Sequence, residues 1–161
     1  MNPPQDPFPG LLAGQYSVTS PATPVYNCIA WAAGSSAQWW WPDPASLYFW
    51  PNTAPRAATV EAFQKAFASL AYTVCESSEL EAGIEKVAIF ASPLGVPTHA
   101  ARQLENGRWT SKMGREIDIE HLLLALEGPG YGRVVRLMQR SRTQSQIPPT
   151  TPAATSSSSS A

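Results

Sequence analysis

The pattern of apolar and polar positions divides the chain into three unequal parts. Residues 1–25 are Pro-rich, show no period and read as an extended arm lying across the folded part. Residues 26–139 carry the periodic signal and form the expected domain. From 140 to 161 the sequence RSRTQSQIPPTTPAATSSSSSA is polar and lacks aromatic residues. It cannot bury enough apolar area to offset its ordering entropy, so it reads as a disordered tail.

Within the central part, Asn27 is placed to cap a short helix in NCIAWAAGS, with Ala30, Ala32 and Ala33 small enough for close packing and Gly34 as its stop. The Trp- and Pro-rich run from Gln38 to Pro55 suits a packed loop. Thr59 caps a second helix over 59–70, where Val60, Phe63, Phe67 and Leu70 recur at helical spacing. YTVCES is β-prone, and KVAIFAS at 86–92 reads as a buried strand. Two extended runs, THAARQL and GRWTSKMG, flank Glu105-Asn106-Gly107, a hairpin signal. A two-residue Asn106-Gly107 turn would set Thr110, Lys112 and Gly114 on the same side as His99. Asp118 is read as the cap of a third helix, DIEHLLLALEG, with Leu122, Leu123 and Leu126 inward, His121 in a surface or capping role and Gly128-Pro129 as the stop. GRVVRLMQR closes the domain as a strand whose Arg133, Arg136 and Arg140 line a solvated edge. The predicted class is α+β, N-terminal helices packed on an antiparallel β-sheet with one late helix.

Composition narrows what such a domain can do. Eleven basic against twelve acidic residues give a formal net charge of −1, which supplies no field for a phosphate backbone or an anionic membrane surface. Nucleic acid and membrane are therefore not expected as partners. The longest apolar stretches, such as HLLLAL, fall far short of the roughly 20 residues that cross a bilayer. No secretory signal is readable in MNPPQDPFPGLLAG, so the expectation is a soluble cytoplasmic protein with reduced thiols, export by a signal-independent route being left open. Two cysteines and two histidines without a close pair such as C-x-x-C point to neither a metal site nor a cofactor.

The chemistry-bearing candidates are few. A thiol in the first turn of a helix feels unpaired backbone N–H groups, which favour the thiolate, so Cys28 stands where a nucleophile belongs. His99, opening a strand, is the imidazole placed to act as its base. Cys75 reads as a core residue. Trp39, Trp40, Trp41 and Trp50 are candidates for the walls of a substrate cleft, some buried and some facing the groove.

The blocks YNCIAWAAG, KVAIFA, THAARQLENGRWTSKMG, DIEH and LEGPGYG resemble a small bacterial domain family of uncharacterised function. That family is similar to papain-fold cysteine peptidases and amidases, including the NlpC-type and CHAP-type cell-wall enzymes. The resemblance spans about residues 26–138 and implies a papain-like fold, Cys28 as nucleophile and His99 as base. Papain-like enzymes orient the histidine with an Asn, Asp, Gln, Glu or His on the next strand, whereas that strand here offers Thr110, Ser111 and Lys112, with Glu116 close behind. The oxyanion hole would use the Cys28 N–H with Asn27 or a polar group of the arm. The expected activity is hydrolysis of a peptide, protein or cell-wall amide. The alternatives are a binding module without turnover and an effector or toxin domain.

Overall fold

The computed structural model describes residues 7–11 and 15–142. The elements run β1 (Ser17–Ser20), α1 (Cys28–Ala32), α2 (Val60–Ala68), β2 (Thr73–Cys75), β3 (Ile84–Ala91), β4 (Pro97–Gln103), β5 (Trp109–Lys112), β6 (Asp118–His121), a 3-10 turn (Leu123–Leu126) and β7 (Arg133–Ser141). The seven strands form one antiparallel sheet in the order β1-β6-β5-β4-β3-β7-β2.

This architecture corrects the predicted one. The expectation of a papain-like fold, with N-terminal helices packed on a sheet and a late helix, gives way to a chain that is mostly seven-stranded sheet. Among the described residues there are two short α-helices, of five and nine residues. Their caps follow the chemistry read from the sequence: Asn27 Oδ1 accepts from Ala30 N–H, and Thr59 Oγ1 accepts from Ala62 N–H. The late helix is absent. Asp118–His121 pairs with β5 on one side and β1 on the other, and only Leu123–Leu126 coils, as a 3-10 turn. The apolar spacing of Ile119, Leu122, Leu123 and Leu126 imitates a helix, but pairing with two strands satisfies the backbone of 118–121 instead.

The outermost strand on that side, β1, lies inside the segment read as an arm. β7 is flanked by β3 and β2, so it is not an edge. It also continues through Ser141, past the start of the predicted tail, the rest of which falls outside the described residues beyond Arg142. Arg140 is not solvated as expected. It donates from Nε and Nη2 to the fully buried carboxylate of Glu85, at 3.0 and 2.9 Å. Arg102 and Arg142 ion-pair with the same carboxylate, at 3.8 and 3.7 Å.

The sheet separates two apolar cores because successive strand residues point to opposite faces. On one face Val87, Ile89, Ala100 and Met138 pack with α1, α2, Trp40 and Trp50. Here Phe63 of α2 is fully buried between Trp41 and Trp50, with ring centroids 5.5 and 5.0 Å away. On the other face Ala88, Phe90, Ala101, Trp109 and Ile119 pack with Leu123 and Leu126.

One hairpin detail governs the site. The β4–β5 turn contains Glu105, Asn106 and Gly107, closed by the Leu104 N–H to Arg108 O bond of 2.7 Å, with Gly107 at φ +88°. It is a three-residue loop with a left-handed glycine, not the two-residue turn predicted. The register becomes Arg102↔Thr110 and Gln103↔Trp109, one residue off the expectation. A shift of one reverses the facing of every side chain. Ser111 therefore shares the face of His99, while Thr110 lies on the α1 face, where its hydroxyl accepts from Trp31 Nε1 at 2.9 Å.

Candidate active site

The paired register of β4 and β5 ends at Arg102↔Thr110, although β4 extends back to Pro97 and β5 on to Lys112. Past that point the two strands leave a gap in the ladder, and Cys28 meets the sheet there. The backbone N–H groups of Ala100, Ile29 and Cys28 itself act on the sulfur and favour its ionised form, as does the charge of Lys112. Burial opposes them and is the largest influence, so the thiol is pushed up to about 11. Cys28 is thus a neutral thiol at rest.

His99 stands one residue before the Ala100 amide. Its ring is fully buried, stacked on Tyr131 at 3.9 Å and 9° and edge-on to Phe90 at 5.2 Å. Nε2 lies 2.9 Å from Ser111 Oγ, and that hydroxyl lies 2.7 Å from Nε2 of His121. His121 Nδ1 lies 2.7 Å from the carbonyl of Leu122. The other ring nitrogen of His99, Nδ1, is buried and has no hydrogen-bond partner. Desolvation holds the His99 pKa well below its ordinary value, with His121 lowering it further. His121 is also fully buried and is lowered to about 4, chiefly by desolvation. The structure brings Cys28 to the backbone beside His99 but does not join sulfur and ring nitrogen by a hydrogen bond.

A cavity of about 320 Å³ opens over the sulfur, lined by Asn27, Cys28, Trp39, Trp41, Tyr48, Thr98, Gly114 and Tyr131. Its walls are largely aromatic and carry no charged side chain. Trp39 and Trp41 are half-buried and form part of these walls. Trp40 and Trp50 are core residues instead, and Trp50 Nε1 donates to Pro55 O at 2.8 Å.

The remaining predicted site residues have other duties. The Asn27 side chain serves as a clamp: Oδ1 accepts from Ala30 and Trp40 N–H at 3.2 and 3.1 Å, and Nδ2 donates to Trp40 O at 2.8 Å. One Nδ2 hydrogen is thus committed to Trp40 O, and the second takes no part in these three bonds. Lys112 is fully buried, and its ammonium donates to the carbonyls of Thr23 and Gly114 and stands over the Tyr26 ring. Glu116 is exposed in the β5–β6 turn. Asp118, read as a helix cap, accepts from the Tyr26 hydroxyl at 2.7 Å.

Around the His99 ring, His121 and Tyr131 escaped the sequence reading as site residues. The signal for His121 was available in the alternation of DIEH after a glycine turn, which is a strand pattern. Tyr131 is placed by a loop whose close return has no local signature. Gly128 and Gly132 bridge each other, and a Cβ on Gly132 would lie 2.0 Å from Ala91 O. Among the described residues no cluster of three or more His, Cys, Asp or Glu could hold a metal, both cysteines are free, and no helix is long and apolar enough to cross a membrane.

Comparison with known proteins gives one match. No curated protein and no solved structure matches the chain, and nothing in the comparisons connects it to papain-fold, NlpC-type or CHAP-type enzymes. The model of a domain of unknown function, DUF7689, matches residues 17–139, from β1 into β7, and the chain belongs to that family.

Proposed function

We propose that this chain is a cysteine hydrolase of amide bonds, with Cys28 as nucleophile and His99 as base. The observation that carries the reading is the unpartnered Nδ1 of the buried His99 ring, one residue from the amide that acts on the Cys28 sulfur. A buried imidazole nitrogen without a partner costs free energy and calls for an explanation, which a role as base supplies. Both groups are neutral at rest, so the chemistry is general-base catalysis rather than attack by a preformed thiolate.

In the first step His99 Nδ1 takes the thiol proton as sulfur bonds to the substrate carbonyl carbon. The N–H of Ala100 or of Cys28 receives the developing oxyanion. The C–N bond then breaks, and the amine leaves with the proton held at Nδ1. Water attacks the thioester, giving a proton to Nδ1; the C–S bond breaks, and the proton returns to sulfur as the carboxylic acid departs. The aromatic cavity would hold the acyl side of a peptide, protein or cell-wall amide.

Chloroacetamide alkylation of the intact protein, mapped to each cysteine by mass spectrometry, tests the base assignment. Below its pKa an unassisted thiol labels about ten times faster for each unit rise in pH, because only the thiolate reacts. Cys75 serves as that internal reference. Cys28, assisted by an imidazole neutral throughout, is expected to label at a nearly constant rate from about pH 6 to 8. His99→Ala should restore the steep dependence. Cys28 labelling that rises in parallel with Cys75 in the wild type would overturn the reading.

A second reading is favoured by the burial of the thiol and by the absence of a sulfur–imidazole hydrogen bond: a binding module whose aromatic cavity holds a peptide or glycan without turnover. It expects Cys28→Ala to retain ligand and the wild type to form no acyl-enzyme.

A further inference from the structure

We infer that Ser111 and His121 form a buried relay that fixes His99 in the tautomer with the proton on Nε2, leaving Nδ1 as a bare lone pair available as a base. The inference deepens the hydrolase reading and rests on it for its functional meaning, but its structural content stands on hydrogen-bond directions alone. The chain of deduction starts at a group with no choice. The Leu122 carbonyl can only accept, so His121 Nδ1, 2.7 Å away, carries a proton. A neutral imidazole has one N–H, so His121 Nε2 is an acceptor. Ser111 Oγ, 2.7 Å from that nitrogen, must spend its single proton there. Facing His99 at 2.9 Å, the same oxygen can then only accept, which puts the His99 proton on Nε2. Nδ1 is left without a proton and without a partner.

The neutrality that the deduction needs is supplied by burial, which depresses both imidazoles. The order of elements explains why the relay exists. Ser111 sits on β5 between His99 on β4 and His121 on β6, and the three-residue turn sets all three on one face of the sheet. When Nδ1 takes the thiol proton the relay keeps its direction, because the imidazolium still donates from Nε2 to Ser111. Ser111 and His121 are thus positioning residues: they touch neither sulfur nor substrate and move no proton themselves. They make the nitrogen nearer the main chain the basic one.

The test reads tautomers directly. Long-range ¹⁵N–¹H correlation spectra of ¹⁵N-labelled full chain near neutral pH distinguish a protonated from a bare ring nitrogen at each histidine. Assignments come from His99→Ala and His121→Gln. The expected wild-type result is His99 protonated at Nε2 with Nδ1 bare, and His121 protonated at Nδ1. A proton on Nδ1 of His99 would overturn the inference, whatever the protein's activity. His121→Leu removes the acceptor for Ser111 and should mix the His99 tautomers and slow Cys28 alkylation at least about ten-fold. His121→Gln keeps an acceptor and should rescue both; equal effects of Gln and Leu would reduce His121 to a packing role. If the leucine variant fails to fold, the wild-type spectrum still decides. Correct tautomers with alkylation that tracks Cys75 would leave the relay standing and remove the hydrolase reading instead.

Discussion

Acidification should unfold this protein by charging imidazoles that the fold keeps neutral. His121 is fully buried and titrates at about 4 in the folded chain, against an ordinary value of 6.5. Between those values the unfolded chain binds the proton and the folded one does not, so stability rises with pH across the window and is lost as pH falls through it. The cause is desolvation first, with Arg108 also lowering the value, while the Leu122 carbonyl and Glu120 pull it back up. Each pH unit inside the window costs about 1.4 kcal/mol, so going from about pH 7.5 to about pH 5 removes about 2 kcal/mol through His121 alone. His99 acts in the same direction. Urea denaturation followed by tryptophan fluorescence at a series of pH values measures the loss. With a urea slope of about 1–2 kcal/mol per molar, the midpoint should fall by about 1–2 M over that range. His121→Gln should flatten the dependence by the His121 share. A midpoint that does not move between those pH values, or one that moves equally in the variant, would refute the burial argument.

Two further outcomes are expected. Glu85→Gln leaves three arginines around an uncharged side chain in a buried place and should cost about 3–5 kcal/mol in urea denaturation, because breaking a buried ion cluster strands its partners. Gly132→Ala, at φ +81° with a new Cβ against Ala91 O, should cost several times more than Gly34→Ala, at φ +89° in open space, and should alter the near-ultraviolet circular dichroism of Tyr131.

Local chemistry was readable and long-range chemistry was not. The caps Asn27 and Thr59 and the core strand through Val87 and Ile89 announce themselves within a few residues. Asn106-Gly107 announced a turn but not its length, and one extra residue exchanged Thr110 for Ser111 as the neighbour of His99. β6 was masked because the leucines that follow DIEH continue its apolar spacing at a helical period, although its alternation after the glycine turn fits the strand that β5 and β1 pair with on either side. Cys28 and His99 could be singled out by residue type, but the contact between the thiol and the Ala100 amide exists only once β4 and β5 part. Tyr131 depends on glycines whose tolerance for close approach is visible only when Ala91 arrives beside them.

The place where the β4–β5 ladder stops has a consequence for how such a domain can diversify. A sheet zipped along its whole length insulates its two sides, so a change on one cannot speak to the other. Here an unzipped end leaves a thiol rooted beside the aromatic loops at the backbone next to an imidazole anchored in the opposite core. The 38–55 loop can therefore change, residue by residue, while the buried histidines behind the seam keep their wiring.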